Sequence, residues 1–102
     1  MKLITAEIAE RTPALYATED VATEDKRVTA KFFFPAGRST FFMTELNPDE
    51  RLAFGFVVSP LGPDCDEWGY FSIDELEELN VGGLGIERDT SFQPCRFSEL
   101  GL

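Results

Sequence analysis

The sequence predicts an α+β fold in which an antiparallel sheet of about four strands, built around a central meander, is packed by a few short helices. Apolar residues alternate with a period of two and only short turns separate these segments, which predicts the sheet. Capping residues precede two short segments with helical spacing of apolar residues, which predicts the helices. The chain has 102 residues, of which 43% are hydrophobic. We therefore expect a single domain over residues 1–102.

The strands are predicted from alternation between turn-forming residues. Val28, Ala30, Phe32 and Phe34 alternate with residues that are mostly polar, as in a strand that buries one face. Gly55 interrupts the apolar alternation of its own segment, which indicates a bulge or a close packing contact. The predicted strands are residues 28–34, 40–46, 52–58 and 67–71, with a last short strand at 84–87.

Two short helices are predicted from capping signals. Thr5 can cap a helix at the N-terminus, and Ile4 and Ile8 give that helix an apolar side. Ser72 and Glu75 have the spacing of a capping box, which predicts a second helix over residues 73–80. Gly82-Gly83 is expected to end this second helix. The tail that follows should pack against the body of the domain through Phe92, Phe97 and Leu100.

The excess negative charge lies in one part of the chain. The net charge is −10, and the segment 52–87 holds eight acidic residues and no basic one. Such a field repels nucleic acids and membrane surfaces and attracts basic partners. The eight acids are Asp64, Asp66, Glu67, Asp74, Glu75, Glu77, Glu78 and Glu87.

The N-terminus and the cysteines indicate a cytoplasmic protein. Glu7 interrupts the apolar run that a secretory signal needs, and no segment has the length of a membrane span. Cys65 and Cys95 are expected to be unpaired thiols, as is usual in a reducing compartment. A zinc site is not expected, since the chain has no histidine and no C-x-x-C pair.

Several sequence blocks resemble a bacterial family catalogued as domain of unknown function 2958. The blocks cover nearly the whole chain, and the most specific are E-W-G-Y-F-S-x-x-E-L at 67–76 and I-E-R-D at 86–89. The resemblance implies a protein encoded on plasmids, phages and integrated elements, often among anti-restriction and conjugation genes. It implies no catalytic residue, because the family has none established. The other matching blocks are L-I-T at 3–5, A-K-F-F-F-P at 30–35 and F-G-F-V at 54–57.

The acidic stretch is the first candidate for a functional site. Nucleic-acid-binding proteins hold basic grooves, and a rigid helix and loop bearing many carboxylates could occupy such a groove. The alternative is an ordinary solvated helix face, but ordinary surfaces mix both signs of charge. Trp68 and Tyr70 could add aromatic anchors if they are exposed. The residues expected to bind the partner are Asp64, Asp66, Glu67, Trp68, Tyr70, Asp74, Glu75, Glu77 and Glu78.

The leading hypothesis is therefore a non-enzymatic inhibitor that presents DNA-like charge to a host defence complex. The expected partner is a basic nucleic-acid-binding protein or complex, either a CRISPR effector or a restriction enzyme. No direct contact with nucleic acid or membrane is expected, and the protein should be a monomer or a weak dimer. The alternative is a structural or regulatory accessory of a plasmid operon that binds a protein through an aromatic sheet face, such as that of Phe32-Phe33-Phe34 and Phe41-Phe42.

A metal-dependent enzyme is the third hypothesis and the weakest. Asp64, Asp66, Gly69, Ser72 and Glu75 have the spacing of positions 1, 3, 6, 9 and 12 of an EF-hand loop, but position 5 is Trp68, which offers no oxygen ligand. Without histidine the commonest general base is absent. We therefore predict no catalytic residue, no metal and no cofactor. Arg88 lies between two acids and could bind an anion, although a structural ion network is the more common role.

Overall fold

The computed structural model describes residues 1–102 and contains two α-helices, seven β-strands and three short 3₁₀ helices. The α-helices are α1 (Ala6–Arg11) and α2 (Ile73–Glu78), each of six residues. Neither is long or apolar enough to cross a membrane. The 3₁₀ helices are Thr23–Asp25, Pro63–Cys65 and Phe97–Leu100. The strands are β1 (Arg27–Val28), β2 (Ala30–Phe33), β3 (Thr40–Asn47), β4 (Leu52–Val58), β5 (Glu67–Ser72), β6 (Glu87–Arg88) and β7 (Cys95–Arg96).

The strands form two antiparallel sheets. The main sheet has five strands in the order β5-β4-β3-β2-β6, and the small sheet pairs β1 with β7. Strands β2 to β5 are consecutive neighbours, which is the central meander. The predicted α+β class with an antiparallel sheet is confirmed. The main sheet has five strands where the sequence predicted about four, because β6 returns to pair with β2.

The first predicted strand is broken in two at Thr29. The Thr29 N–H and hydroxyl both donate to the carbonyl of Met43, at 2.8 and 3.3 Å. Its own carbonyl accepts from the guanidinium of Arg11 at 2.6 and 3.0 Å. The prediction of a continuous strand over 28–34 was wrong. The break allows β1 to leave the main sheet and pair with β7 near the C-terminus.

Strand β3 contains a β-bulge that its sequence pattern did not reveal. The register against β4 shifts between Met43 and Glu45, and all residues from Phe42 to Leu46 are buried. The Thr44 hydroxyl donates to the carbonyl of Phe54 across the bulge. A bulge adds one residue to a strand and so reverses the side on which later residues lie. The prediction that side chains alternate between the two faces without interruption along residues 40–46 was therefore wrong.

The main sheet buries apolar residues on both faces. The first face packs under α1, α2 and the N-terminal residues. The second face is smaller and packs under the C-terminal segment, whose Phe92, Phe97 and Leu100 contact it as predicted. The first core consists of Leu3, Ile4, Ile8, Ala30, Phe32, Met43, Leu46, Ala53, Phe71, Ile73, Leu76 and Ile86. The second consists of Val28, Phe42 and Val58.

Both helices begin where the sequence predicts. The Thr5 hydroxyl accepts from the Ile8 N–H, and the Ser72 hydroxyl accepts from the Glu75 N–H. Helix α2 nevertheless ends at Glu78 rather than at residue 80. Gly82-Gly83 does not end the helix: both glycines have positive φ and form a turn between Val81 and Leu84. The last predicted strand, 84–87, is displaced to Glu87–Arg88.

Candidate partner-binding surface

Strand β5 is the terminal strand of the main sheet, and the acidic stretch surrounds it. The 3₁₀ helix Pro63–Cys65 precedes β5 by one residue, Asp66, and α2 follows β5 without a gap. We call residues 63–78, which comprise the 3₁₀ helix, Asp66, β5 and α2, the acidic edge. The edge contains all nine residues that the sequence predicts to bind a partner. Their environments differ, however, and divide them into structural residues and free ones.

Asp66 is a structural residue. Its two carboxylate oxygens each accept from the guanidinium of Arg38 at 2.7 Å, and one also accepts from the Ser59 N–H. The hydrogen bond from Arg38, followed by that from Ser59, holds the pKa of Asp66 below its usual range. Arg38 belongs to the turn between β2 and β3, so this ion pair joins that turn to the entry of β5.

Asp74 and Glu77 are also structural, because Arg51 bridges them. The Arg51 guanidinium donates to Asp74 and, at 2.6 Å, to Glu77. Glu77 also accepts from the Leu3 N–H at 2.8 Å. The hydrogen bond to Asp74, more than that to Glu77, raises the pKa of Arg51 above its usual value. This cluster joins the β3–β4 turn, helix α2 and the N-terminal segment.

Four acids of the edge remain without a cation. Asp64 and Glu67 at one end of β5, and Glu75 and Glu78 on α2, are exposed and form no ion pair. The bases that neutralise the others come from outside the acidic stretch, which sequence composition does not show. These four acids are the part of the predicted site that is available to a partner.

Two aromatic residues of β5, Trp68 and Tyr70, lie on the second face of the sheet, whereas Phe71 belongs to the first core. Trp68 is half-buried, with its ring centre 4.8 Å from that of Phe97 and 5.6 Å from that of Phe56. Tyr70 is 52% exposed, and its ring centre lies 5.0 Å from that of Phe54. Aromatic side chains that are exposed and already packed lose little freedom on binding. Tyr70 is therefore the aromatic anchor available to a partner, whereas Trp68 is largely part of the fold.

Tyr16 extends this aromatic surface and was missed by the sequence analysis. It is 59% exposed, lies 6.4 Å from Tyr70 between ring centres, and has a φ of 70°. Hydrogen bonding with Tyr16 raises the pKa of Tyr70, and nearby acidic charges, including Glu45, add to this effect. No pattern near residue 16 indicates a strand contact, so no sequence signal would have found it.

A buried carboxylate holds Tyr16 in place. Glu45, only 4% exposed, accepts from the N–H groups of Tyr16 and Thr18 at 2.8 and 3.1 Å, and from the Thr18 hydroxyl. The buried Lys26 ammonium donates to the carbonyl and hydroxyl oxygens of Thr18. Left-handed backbone at a tyrosine is strained and persists only where its surroundings impose it. Here the surroundings are the Glu45 carboxylate, which bonds to the Tyr16 N–H. The bulge in β3 sets the position of Glu45, since it places Glu45 opposite Phe54.

The residues with EF-hand spacing do not form a loop. Asp66 is paired with Arg38, Gly69 lies in the middle of β5, and Ser72 caps α2. No group of three or more possible metal ligands occurs in the structure. Cys65 is exposed, Cys95 is half-buried, and neither is paired. Burial raises the pKa of the Cys95 thiol.

The I-E-R-D block has a structural role. The Arg88 guanidinium donates to the carbonyls of Lys2 and Leu3 at 2.6 and 3.3 Å, and Asp89 lies 3.6 Å from the ammonium of Lys31. These contacts attach the N-terminal segment to β6, and β2 to the residue that follows β6. A polar cavity of about 340 Å³ lies beside them, between α1 and residues 88–94.

The chain belongs to a family whose model is described as "Protein of unknown function (DUF2958)" and matches residues 3–99. This confirms the resemblance inferred from the sequence blocks. No curated protein and no solved structure gives a significant match.

Proposed function

We propose that this DUF2958 protein is a non-enzymatic acidic binding protein that inhibits a host nucleic-acid-binding defence complex in the cytoplasm. Its partner would be the basic groove of a CRISPR effector or of a restriction enzyme. The observation that supports this proposal is the free part of the acidic edge: Asp64, Glu67, Glu75 and Glu78 are exposed and have no cation. They flank an edge strand that also presents Tyr70.

The spacing of these acids determines how much charge alone can contribute. The six residues of β5 span about 20 Å at roughly 3.3 Å per residue. A duplex carries about a dozen phosphates over that length, at one charge per roughly 1.7 Å. The four free carboxylates, of which only Glu67 lies within β5, are sparser than this. Charge therefore provides steering and orientation, while close contacts provide the rest of the affinity. Tyr70 and Tyr16 are the side chains placed to make those contacts.

The proposal is tested by reversing charge only where it is free. In the test variant, lysine replaces Glu67, Glu75 and Glu78. In a matched control variant, lysine replaces Glu10, Asp20 and Asp49. Both change the net charge from −10 to −4, and none of the six residues forms an ion pair. We expect the first variant to lose inhibition of DNA cleavage by the target complex and the control to retain most of it.

Binding should also weaken with salt and compete with duplex DNA. Tagged protein is incubated with lysate that contains CRISPR and restriction systems. The proteins that it captures are then eluted with salt or with duplex DNA. A captured nucleic-acid-binding complex that both treatments release supports the proposal. Inhibition that survives the triple reversal shows that the proposal is wrong.

The exposed tyrosine pair favours a second candidate function, that of an accessory protein that binds its partner through the aromatic face. Tyr16 and Tyr70 are each more than half exposed, and a strained backbone and a buried carboxylate hold Tyr16 beside Tyr70. This candidate predicts binding that is insensitive to salt but is lost in the double variant Tyr16→Ala/Tyr70→Ala. The triple charge reversal should leave such binding unchanged.

A further inference from the structure

The hydrogen-bond pattern of β5 shows which backbone groups lie on its outer side. The Ile73 N–H donates to the carbonyl of Arg51 at 2.9 Å, one step beyond the Leu52–Ser72 pair. Hydrogen-bonded pairs alternate along an antiparallel ladder. The backbone groups of residues 67, 69 and 71 therefore point to β4. Those of Trp68 and Tyr70 point away from the sheet, and nothing else in the chain bonds to them.

This edge lacks the features by which proteins usually protect a terminal strand. Lysine, proline, bulges and covering segments commonly block such edges. Strand β5 has the sequence EWGYFS, with no base and no proline, and its register against β4 is continuous over all six residues. At Gly69 a Cβ would meet nothing within 4 Å. The opposite edge strand, β6, has only two residues.

We propose that β5 binds an extended, basic segment of a partner protein, which adds to the main sheet as a sixth strand. The outward N–H and C=O groups of Trp68 and Tyr70 bond to the backbone of that segment. Its basic side chains face Asp64 and Glu67 at one end and Glu75 and Glu78 at the other. The choice of a basic segment rests on the proposed function, whereas the strand addition rests on the edge geometry alone.

Charge argues against a second copy of this chain as the occupant. Antiparallel pairing of two β5 strands would place Asp64 and Glu67 of one copy near Glu75 and Glu78 of the other. All four side chains are exposed acids without a cation, so both ends of such a dimer would repel. A basic strand reverses the sign of both interactions.

The test uses three synthetic ten-residue peptides. The first alternates lysine with valine, the second alternates glutamate with valine, and the third is the lysine peptide N-methylated on every internal amide, so that neither of its edges can pair. Trp68 is the only tryptophan of the chain, so its fluorescence reports binding at β5. Amide hydrogen exchange at Trp68 and Tyr70, measured by NMR, reports strand pairing. We expect the lysine peptide to bind and protect both amides, and the two others to bind at least about tenfold more weakly.

Two substitutions separate the backbone of Tyr70 from its side chain. Tyr70→Pro removes the outward N–H, which an edge strand tolerates, and should weaken binding of the lysine peptide about tenfold. Tyr70→Ala keeps the N–H and should weaken it by less. Equal binding of the methylated and unmethylated peptides to the unaltered protein overturns the proposal, even if Tyr70→Pro fails to fold.

The outcomes for strand addition and for inhibition are distinguishable. Protected Trp68 and Tyr70 amides with the lysine peptide support strand addition even if no defence complex is inhibited. If folded Tyr70→Pro still inhibits a complex that the triple charge reversal no longer inhibits, strand addition is wrong and the proposed function stands.

Discussion

Gly55 and Gly69 lie opposite each other on β4 and β5, but their surroundings differ. A Cβ at Gly55 would lie 1.9 Å from the carbonyl oxygen of Phe42, which is backbone and cannot move aside. A Cβ at Gly69 would meet nothing within 4 Å. Gly55 thus sets how closely β3 and β4 approach, whereas Gly69 leaves a gap on the first face of the edge strand.

The two glycines provide a matched pair of substitutions. Gly55→Ala should lower the free energy of unfolding by about 3 kcal/mol or more, because β3 must shift to admit the methyl group. Gly69→Ala should change it by no more than about 0.5 kcal/mol. Urea denaturation of both variants measures the difference. Similar midpoints for the two would show that the close contact at Gly55 does not constrain the sheet.

At the scale of single elements, the loops are joined by ion pairs that arise far apart in the sequence. The Arg38–Asp66 pair connects the β2–β3 turn to the entry of β5, and Arg51 connects the β3–β4 turn to α2. Both arginines lie before the acidic stretch, so its charge is partly neutralised by residues that folding brings to it. The elements that flank the candidate surface are fixed by these pairs.

The Arg38–Asp66 pair should make stability depend on acid pH. The pKa of Asp66 is lower in the folded protein than its ordinary value of 3.8. Its contribution is therefore present above about pH 4 and is lost as the pH falls through the folded value. Urea denaturation at pH 7 and pH 3 should show a smaller loss of stability for Asp66→Asn than for the unaltered protein.

Asp64→Asn is the control for this measurement. Asp64 is exposed and unpaired, so its substitution removes one carboxylate without removing an ion pair. If Asp66→Asn loses as much stability on acidification as the unaltered protein does, the ion pair contributes nothing in solution.

Short-range signals predicted most of the elements from the sequence. Thr5 and Ser72 mark the helix starts, and apolar alternation with short turns marks the meander, because these depend on neighbouring residues. The break at Thr29 and the bulge before Glu45 depend on partners far along the chain, namely Met43, Arg11 and the segment 16–18. Alternation alone cannot show such partners.

The sequence predicted the residues of the candidate surface but not which of them are free to bind a partner. The acidic residues and Trp68 and Tyr70 could be read from composition and spacing, and the structure places them around one edge strand. Which acids are free could not be read, because Arg38 and Arg51 approach only in the folded chain. Tyr16 was missed for the same reason.

At the scale of the whole molecule, the C-terminal segment covers the second face of the sheet. Phe97 lies against both Phe56 and Trp68, at 5.0 and 4.8 Å between ring centres. Its N–H donates to the carbonyl of Lys26, next to the β1–β7 pair. The segment thus protects one part of an aromatic face whose other part, at Tyr16 and Tyr70, stays exposed.

Removing Phe97 should expose this face. Phe97→Ala should lower the free energy of unfolding by about 2 kcal/mol, since Phe97 is half-buried, and shift Trp68 fluorescence to longer wavelength as water reaches the indole. Leu102 is 65% exposed, so Leu102→Ala should change neither the free energy of unfolding nor the Trp68 fluorescence. An unshifted Trp68 spectrum in Phe97→Ala would mean that the C-terminal segment does not cover the face in solution.

The attachment of residues 2–26 to residues 77–97 has a consequence for protein synthesis. Leu3 is bonded to Glu77, Lys2 to Arg88, and Lys26 to Phe97. During synthesis, residues 2–26 therefore wait for partners that lie between residues 77 and 97. Neither face of the sheet is complete until then, so the nascent chain has no stable shorter form. A stop codon near residue 90 should leave the second face uncovered, and cellular proteases should clear the product.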